Sequence, residues 1–283
     1  MELWFQEEHD SHMRLGYRIR DVLFSERSPW QKVEVVDSRA WGKMLLIDGM
    51  VMLTEKDEFV YHEMISHIPV LMHRHPRQVM IIGGGDGGTV RELLKHDSIE
   101  KILLCELDDL VLEASRRFFP EVACGLDDDR VEIFIGDGLE KIAAMPSAGM
   151  DLVLVDSTDP AGPGEVLFGR EFYRSVAAVL KPDGLMACQS ESPWYDGDML
   201  RRIHDNIGSA FTTRLPWTGP VPTYPTGFWS WTLAGNHRFN AGDICRERFR
   251  GVRDQLHYLE EDMLPGIFAI PRFYRDKLNG PAG

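Results

Sequence analysis

Four short apolar runs in this chain each stop at an acidic station, and the first stops inside a glycine cluster. Val79-Met80-Ile81-Ile82 breaks into Gly83-Gly84-Gly85-Asp86-Gly87-Gly88, and Lys101-Ile102-Leu103-Leu104-Cys105 ends on Glu106. Val131-Glu132-Ile133-Phe134-Ile135 ends on Gly136-Asp137-Gly138, and Leu152-Val153-Leu154-Val155 ends on Asp156. Short runs rich in β-branched residues suit parallel strands buried on both faces. Thr89-Val90-Arg91-Glu92-Leu93-Leu94-Lys95-His96 follows the glycines with apolar residues at helical spacing, so the cluster sits where a strand hands over to a helix N-terminus. Backbone without Cβ atoms can approach a ligand closely there. Ligands of open α/β sheets bind at the carboxyl ends of the strands, where all four stations fall.

The stations suit a nucleoside. Gly83 and Gly85 supply the tight turn, and Glu106, 20 positions beyond Asp86, stands where βαβ nucleotide folds place an acid that accepts hydrogen bonds from ribose hydroxyls. At Asp137-Gly138 a carboxylate or a backbone amide could read an adenine edge. Each acid taken singly is also a reasonable helix cap; the ordered set is what points to a site.

With 283 residues, 43% of them hydrophobic, the chain can bury a full core. No apolar run reaches about 18 residues, and the start Met1-Glu2-Leu3-Trp4-Phe5-Gln6-Glu7-Glu8 has no basic region before an apolar stretch, so neither a membrane span nor a secretory signal is expected, and the cytoplasm is the expected compartment. Cys105, Cys124, Cys188 and Cys245 form no C-x-x-C pair and read as reduced thiols. No histidines have the H-E-x-x-H spacing, and no metal is expected. A formal charge of −14, from 45 acids against 31 bases, disfavours nucleic acid as a partner.

Residues 1–60 read as a small β-sheet domain and 61–283 as the larger catalytic domain. Strands are expected over 14–24, 32–36, 43–47 and 50–53, with Asp48-Gly49 a two-residue hairpin signal. Helical spacing begins near Asp57. After Asp156 come a helix over 170–180, a break at Pro182-Asp183-Gly184, a strand over 185–189 and a helix over 197–209. Two further strands, 211–215 and 227–233, have no helix between them and imply an antiparallel pair. A dehydrogenase sheet continues with parallel units. The expected fold is therefore α/β, a Rossmann-like methyltransferase-type seven-stranded sheet ending in an antiparallel pair, and an adenosyl sulfonium fits it better than NAD.

Four segments together resemble the spermidine synthase family over most of the chain: Gly83 to Gly88; Asp57-Glu58-Phe59-Val60-Tyr61-His62-Glu63-Met64; Asp156-Ser157-Thr158-Asp159-Pro160 with Gly162-Pro163; and Pro222-Thr223-Tyr224-Pro225-Thr226-Gly227. The resemblance implies a polyamine aminopropyltransferase. Decarboxylated S-adenosylmethionine, a co-substrate rather than a cofactor, would give its aminopropyl group to putrescine, leaving spermidine and 5'-methylthioadenosine. It also implies a homodimer or homotetramer. By the same resemblance Gln31 and Pro163 contact the nucleoside, Tyr61 and His62 the amines, and Ser157, Thr158, Asp159, Gln189 and Tyr224 the polyamine slot. Trp194, Trp229 and Trp231 are candidates for its apolar lining or for core. Near the C-terminus Leu264 stands where the family commonly carries histidine.

The chemistry is consistent with these residues. The attacking amine must offer a lone pair although alkylammonium groups titrate near 10.4. Asp156, the first polar residue after a buried strand, is the candidate base, and Asp159 would help hold the amine. Asp86 would attract the lone ammonium of the decarboxylated donor and repel the carboxylate of full S-adenosylmethionine by on the order of a kcal/mol or more at contact. A small-amine N-methyltransferase, a nucleoside or polyamine sensor, and cadaverine, agmatine or spermidine as acceptor stand as alternatives.

Overall fold

The computed structural model describes residues 2–9, 12–160, 162–195 and 197–279. An N-terminal sheet is built from β1 (Leu3–Glu8), β2 (Arg14–Arg27), β3 (Lys32–Ser38), β4 (Lys43–Ile47) and β5 (Met50–Thr54), each antiparallel to the next. The turn between β4 and β5 is the expected Asp48-Gly49 pair, both at positive φ, 47° and 81°. This sheet has one strand more than the sequence reading gave. β1 carries no β-branched residue; pairing with the long, twice-irregular β2 makes it a strand.

The chain then enters α1 (Glu58–Met72), whose residues from Val60 onward are all buried. The larger sheet follows as β6 (Gln78–Gly83), α2 (Gly88–Leu94), β7 (Lys101–Glu106), α3 (Asp109–Phe118), β8 (Val131–Ile135), α4 (Gly138–Ala143) and β9 (Met150–Asp156). It closes with α5 (Arg170–Val179), β10 (Leu180–Gln189), α6 (Gly197–Gly208), β11 (Thr213–Pro220) and β12 (Phe228–Gly235), after which α7 (Arg246–Val252) and α8 (Arg272–Asn279) complete the chain. The strand order is β11-β12-β10-β9-β6-β7-β8, with the inner strands parallel and β12 antiparallel to both β10 and β11. That is the expected seven-stranded sheet with an antiparallel end pair.

Alternate side chains of the central strands feed two cores. Val79, Ile81, Leu152 and Leu154 pack on one face, while Met80, Ile82, Val153 and Val155 pack on the other. Both faces are therefore covered, which is why these runs are continuously apolar. At about 25 cal/mol per Å² of apolar surface removed from water, this burial is the main stabilising term.

The N-terminal sheet packs through Val33, Val35, Leu45 and Ile47 against Leu110, Val111 and Ala114 of α3. It thereby roofs the carboxyl ends of β6, β7 and β9. Asp57 ties the two sheets further, accepting from Thr54 Oγ1 at 2.6 Å and from Thr223 N and Oγ1 at 3.0 and 2.7 Å. All four cysteines are free, Cys105 and Cys188 within strands. Leu264 lies fully buried in the core.

Candidate active site

The sheet reverses direction of growth between β6 and β9, and there Gly83 pairs directly with Asp156. Open α/β sheets leave a crevice at such a switch point. Gly83 has φ +79°, and a Cβ on it would lie 2.1 Å from the Asp156 carbonyl oxygen, so only glycine lets the two strand ends converge. Over this crevice lies a cavity of about 310 Å³ walled by the glycine turn, Glu106, Asp137, Gly138, Asp156 and, from the N-terminal sheet, Gln31, Leu45, Ile47 and Met52.

Glu106 is buried and receives N–H bonds from Gly85 at 3.1 Å and Asp108 at 3.0 Å. Burial nevertheless pushes its carboxyl up to about 7, because the charged form loses hydration. Asp137 is exposed at the cavity rim, and its carboxylate caps α4 through Leu139 N at 2.8 Å. Its cap role and its rim position coexist. Ser28 Oγ donates to Asp108 at 2.7 Å and accepts from the Trp30 and Gln31 amides, which fixes the turn that carries Gln31. The Pro163 side chain lies outside the described residues.

A second, narrower recess of about 30 Å³ continues from the first, sharing Met52, Tyr61, Ser157, Thr158 and Tyr224 with it. Asp86 and Asp156 stand in the wall of the larger cavity near this junction. Asp86 Oδ1 accepts from Gly88 N at 2.7 Å. Asp156 Oδ2 accepts from Thr89 Oγ1 at 2.6 Å and the carboxylate also bonds Tyr61. Burial first, and the neighbouring charge of Asp86 second, hold Asp156 above the usual carboxylate range. Asp86 instead is held below it: burial opposes ionisation, but His62 and the Gly88 amide outweigh that. Of two adjacent carboxylates, Asp156 is the one that takes up a proton more readily.

The recess ends on Asp159, Gln189 and Glu7 and is walled in part by Tyr224 and Trp229, which meet edge to face with centroids 4.8 Å apart. Asp159 bonds Glu191 and is raised to about 6, chiefly by burial. Gln189 Nε2 donates to Glu191 Oε1 at 3.2 Å, and Glu191 sits at φ +67° just past the end of β10. Tyr224 donates to the Met52 carbonyl at 2.6 Å. Glu7 of β1 is 1% exposed, and its Oε2 has no hydrogen-bond partner among the described residues.

The structure thus brings together Gln31, Tyr61, His62, the glycine turn with Gly83, Gly85 and Asp86, Glu106, Asp137, Gly138, Asp156, Ser157, Thr158 and Tyr224 on one cavity, and Asp159 and Gln189 on the adjoining recess. Trp229 lines that recess, Trp231 is fully buried against Tyr61, and Trp194 stacks on Phe273 at the surface instead. Sequence reasoning missed Glu7, Glu191 and Thr89. Glu7 belongs to the unread strand; Thr89 carried a usable signal, as the only hydroxyl in the first turn after the glycines.

A crevice at the switch point of a methyltransferase-type sheet, with the buried Glu106 on one side and paired carboxylates beside a narrow acidic recess on the other, defines a nucleoside-dependent transferase acting on cationic substrates. Residues 58–243 match the spermine/spermidine synthase domain and residues 3–55 the spermidine synthase tetramerisation domain. The chain is 42% identical over 278 residues to the polyamine aminopropyltransferase of Methanocaldococcus jannaschii, covering 97% of this chain and 94% of that protein. It is 41% identical over 277 residues to the polyamine aminopropyltransferase of Desulforudis audaxviator, covering 98% and 99%. Its fold superposes with TM-score 0.94 and 39% identity on spermidine synthase in complex with the transition state analogue AdoDATO, covering 98% and 95% of the two chains. The spermidine synthase of Thermotoga maritima gives TM-score 0.93 at 38% identity, covering 98% and 94%. The chain belongs to the spermine/spermidine synthase family and is an aminopropyltransferase.

Proposed function

We propose that the two connected cavities transfer the aminopropyl group of decarboxylated S-adenosylmethionine to putrescine, giving spermidine and 5'-methylthioadenosine. The observation that carries this reading is the placement of Asp86 and Asp156 where the nucleoside cavity meets the acidic recess. The donor's adenosine occupies the larger cavity, with its ribose on Glu106, its adenine at Asp137-Gly138, and Gln31 and Pro163 closing over it. Its ammonium lies on Asp86. The acceptor threads the recess, its methylenes along the wall that Tyr224 and Trp229 form, and its far ammonium meets Asp159, with Ser157, Thr158, Gln189, Glu191 and Glu7 around it.

Its near amine, held by Asp156 and Tyr61, attacks the carbon beside the sulfonium. The carbon–sulfur pair leaves on sulfur as a neutral thioether, and the proton shed by the newly alkylated nitrogen passes to Asp156.

The N-terminal unit, residues 1–60, is proposed as the roof and assembly domain and residues 61–283 as the catalytic domain, in a homodimer or homotetramer working in the cytoplasm. No helix among the described residues is long and apolar enough to cross a membrane. Purified protein is to be incubated with the decarboxylated donor and an equimolar mixture of putrescine, cadaverine, agmatine and spermidine, and the products read by mass spectrometry. Spermidine is expected to dominate. Dominance of another product, or N-methylputrescine formed with full S-adenosylmethionine, would contradict the assignment.

A further inference from the structure

His62 lies between two carboxylates. Its Nδ1 is 2.6 Å from Glu58 Oε2, one helical turn earlier on α1, and its Nε2 is 3.2 Å from Asp86 Oδ1. A neutral imidazole carries one N–H and one lone pair, so it cannot donate to both; the doubly protonated ring can. The ring has no freedom to turn away. It lies against Gly88 so closely that a Cβ there would come within 2.3 Å of its Cε1 and Nδ1, and the side chain is 3% exposed. Glu58 is fixed in turn, because Arg91 of α2 donates to both its oxygens at 2.9 Å.

The other charged and titratable groups facing this ring are few. Tyr61 of α1 stands edge-on at 5.6 Å between centroids. Asp156 at the end of β9 completes a cluster in which one ligating atom from each of His62, Asp86 and Asp156 lies within 4.8 Å of the others. Tyr224 packs on the far side of Tyr61. Burial alone would depress the imidazole, yet Asp86 and Glu58 hold it well above its ordinary value.

We infer that the Arg91–Glu58 pair is a positioning device that keeps His62 as a fixed cation beside the two catalytic-site carboxylates, so that the attacking amine binds as its free base. This rests on the transfer reaction proposed above. The charge arithmetic is direct. Glu58 and Arg91 cancel, and Glu92, which also bonds Arg91 Nε at 2.9 Å, is matched by Lys95 at 2.6 Å; His62, Asp86 and Asp156 together leave one negative charge. The donor brings two positive charges, on sulfur and nitrogen, so the loaded centre holds one positive charge in excess. A protonated acceptor amine is repelled, and its proton stays in solvent. With a neutral His62 the loaded centre would be balanced, and the ammonium form would be tolerated.

The test is the pH dependence of kcat at saturating substrates for wild type, His62→Gln and Glu58→Gln, with side-chain nitrogen chemical shifts of His62 in the wild-type protein bound to methylthioadenosine. Removing a fixed positive charge raises the bound amine's pKa, so the acidic limb should move to higher pH, by about one unit for His62→Gln. In Glu58→Gln the His62 ring should lose its second proton at lower pH than in wild type, and because that variant also uncovers the Arg91 charge its acidic limb should stay closer to the wild-type position. Both ring nitrogens should report N–H at pH 8. An acidic limb that stays put in His62→Gln while kcat falls uniformly, or a neutral ring at pH 8 in the wild type, would overturn the inference and leave the transfer reading intact. Failure of the wild type to form any aminopropyl product would instead remove that reading.

Discussion

The two halves of the cleft are built by different means. The nucleoside half is made where strands end: Gly83, Gly85, Glu106 and Gly138 each lie within three residues of a strand terminus, and backbone amides do much of the holding. The amine half is made of side chains gathered from far apart. Glu7 comes from β1, Tyr61 and His62 from α1, Asp156 and Asp159 from the end of β9, Glu191 from beyond β10 and Tyr224 from the turn before β12. On the proposed assignment the first half binds by shape and the buried Glu106 carboxylate, whereas the second crowds acids into a buried recess, where each raises its neighbours' cost of ionisation. That cost is offset when ammonium groups arrive. The difference implies that the two halves can be damaged separately.

The largest effect should come from Asp156→Asn. It keeps the shape of the site and removes the proton acceptor, so kcat should fall by about 10² to 10⁴-fold, measured by rapid quench at saturating substrates. Asp86→Asn comes next. Loss of a charge-assisted hydrogen bond should raise the KM of the decarboxylated donor by about ten- to a hundredfold and narrow its advantage over full S-adenosylmethionine in competition.

Glu106→Gln probes the other half and should weaken methylthioadenosine binding by about tenfold, leaving acceptor KM unchanged. The sign of its pH dependence follows from the raised carboxyl. Empty, Glu106 titrates near 7; ribose hydroxyls favour its ionised form and lower that value on binding. Affinity by calorimetry should therefore be greatest above pH 7 and decline as pH falls through it. The smallest change is expected from Glu7→Gln, which should raise the acceptor KM by a few-fold without altering donor affinity.

This contrast also explains what was legible in the sequence. The parallel strands, the acidic stations and the antiparallel end pair follow from local rules, since a buried strand must be apolar and its end must turn. Glu106, the proposed ribose acid, could be picked out by counting from the glycine turn. The amine half obeys no such local rule. Asp156 and Asp159 were visible because they follow a strand directly, and Tyr61, His62 and Tyr224 only through family resemblance. Glu7 left no trace, because its role depends on a pairing between β1 and β2 and on the roof that this sheet forms. Asp137 shows the limit in the other direction: its helix-cap role was equally readable, and its carboxylate is engaged in that cap.

The separation of the two halves is tested most directly by calorimetry of methylthioadenosine, and then of putrescine in its presence, on wild type and on the Asp156→Asn, Asp159→Asn double variant. Methylthioadenosine affinity should change by less than about threefold while putrescine binding is lost, since the nucleoside contacts are untouched and the carboxylates proposed to hold the two ends of putrescine are removed. A parallel loss of both would mean that the carboxylates hold the cleft as one unit, and would contradict the division drawn between them.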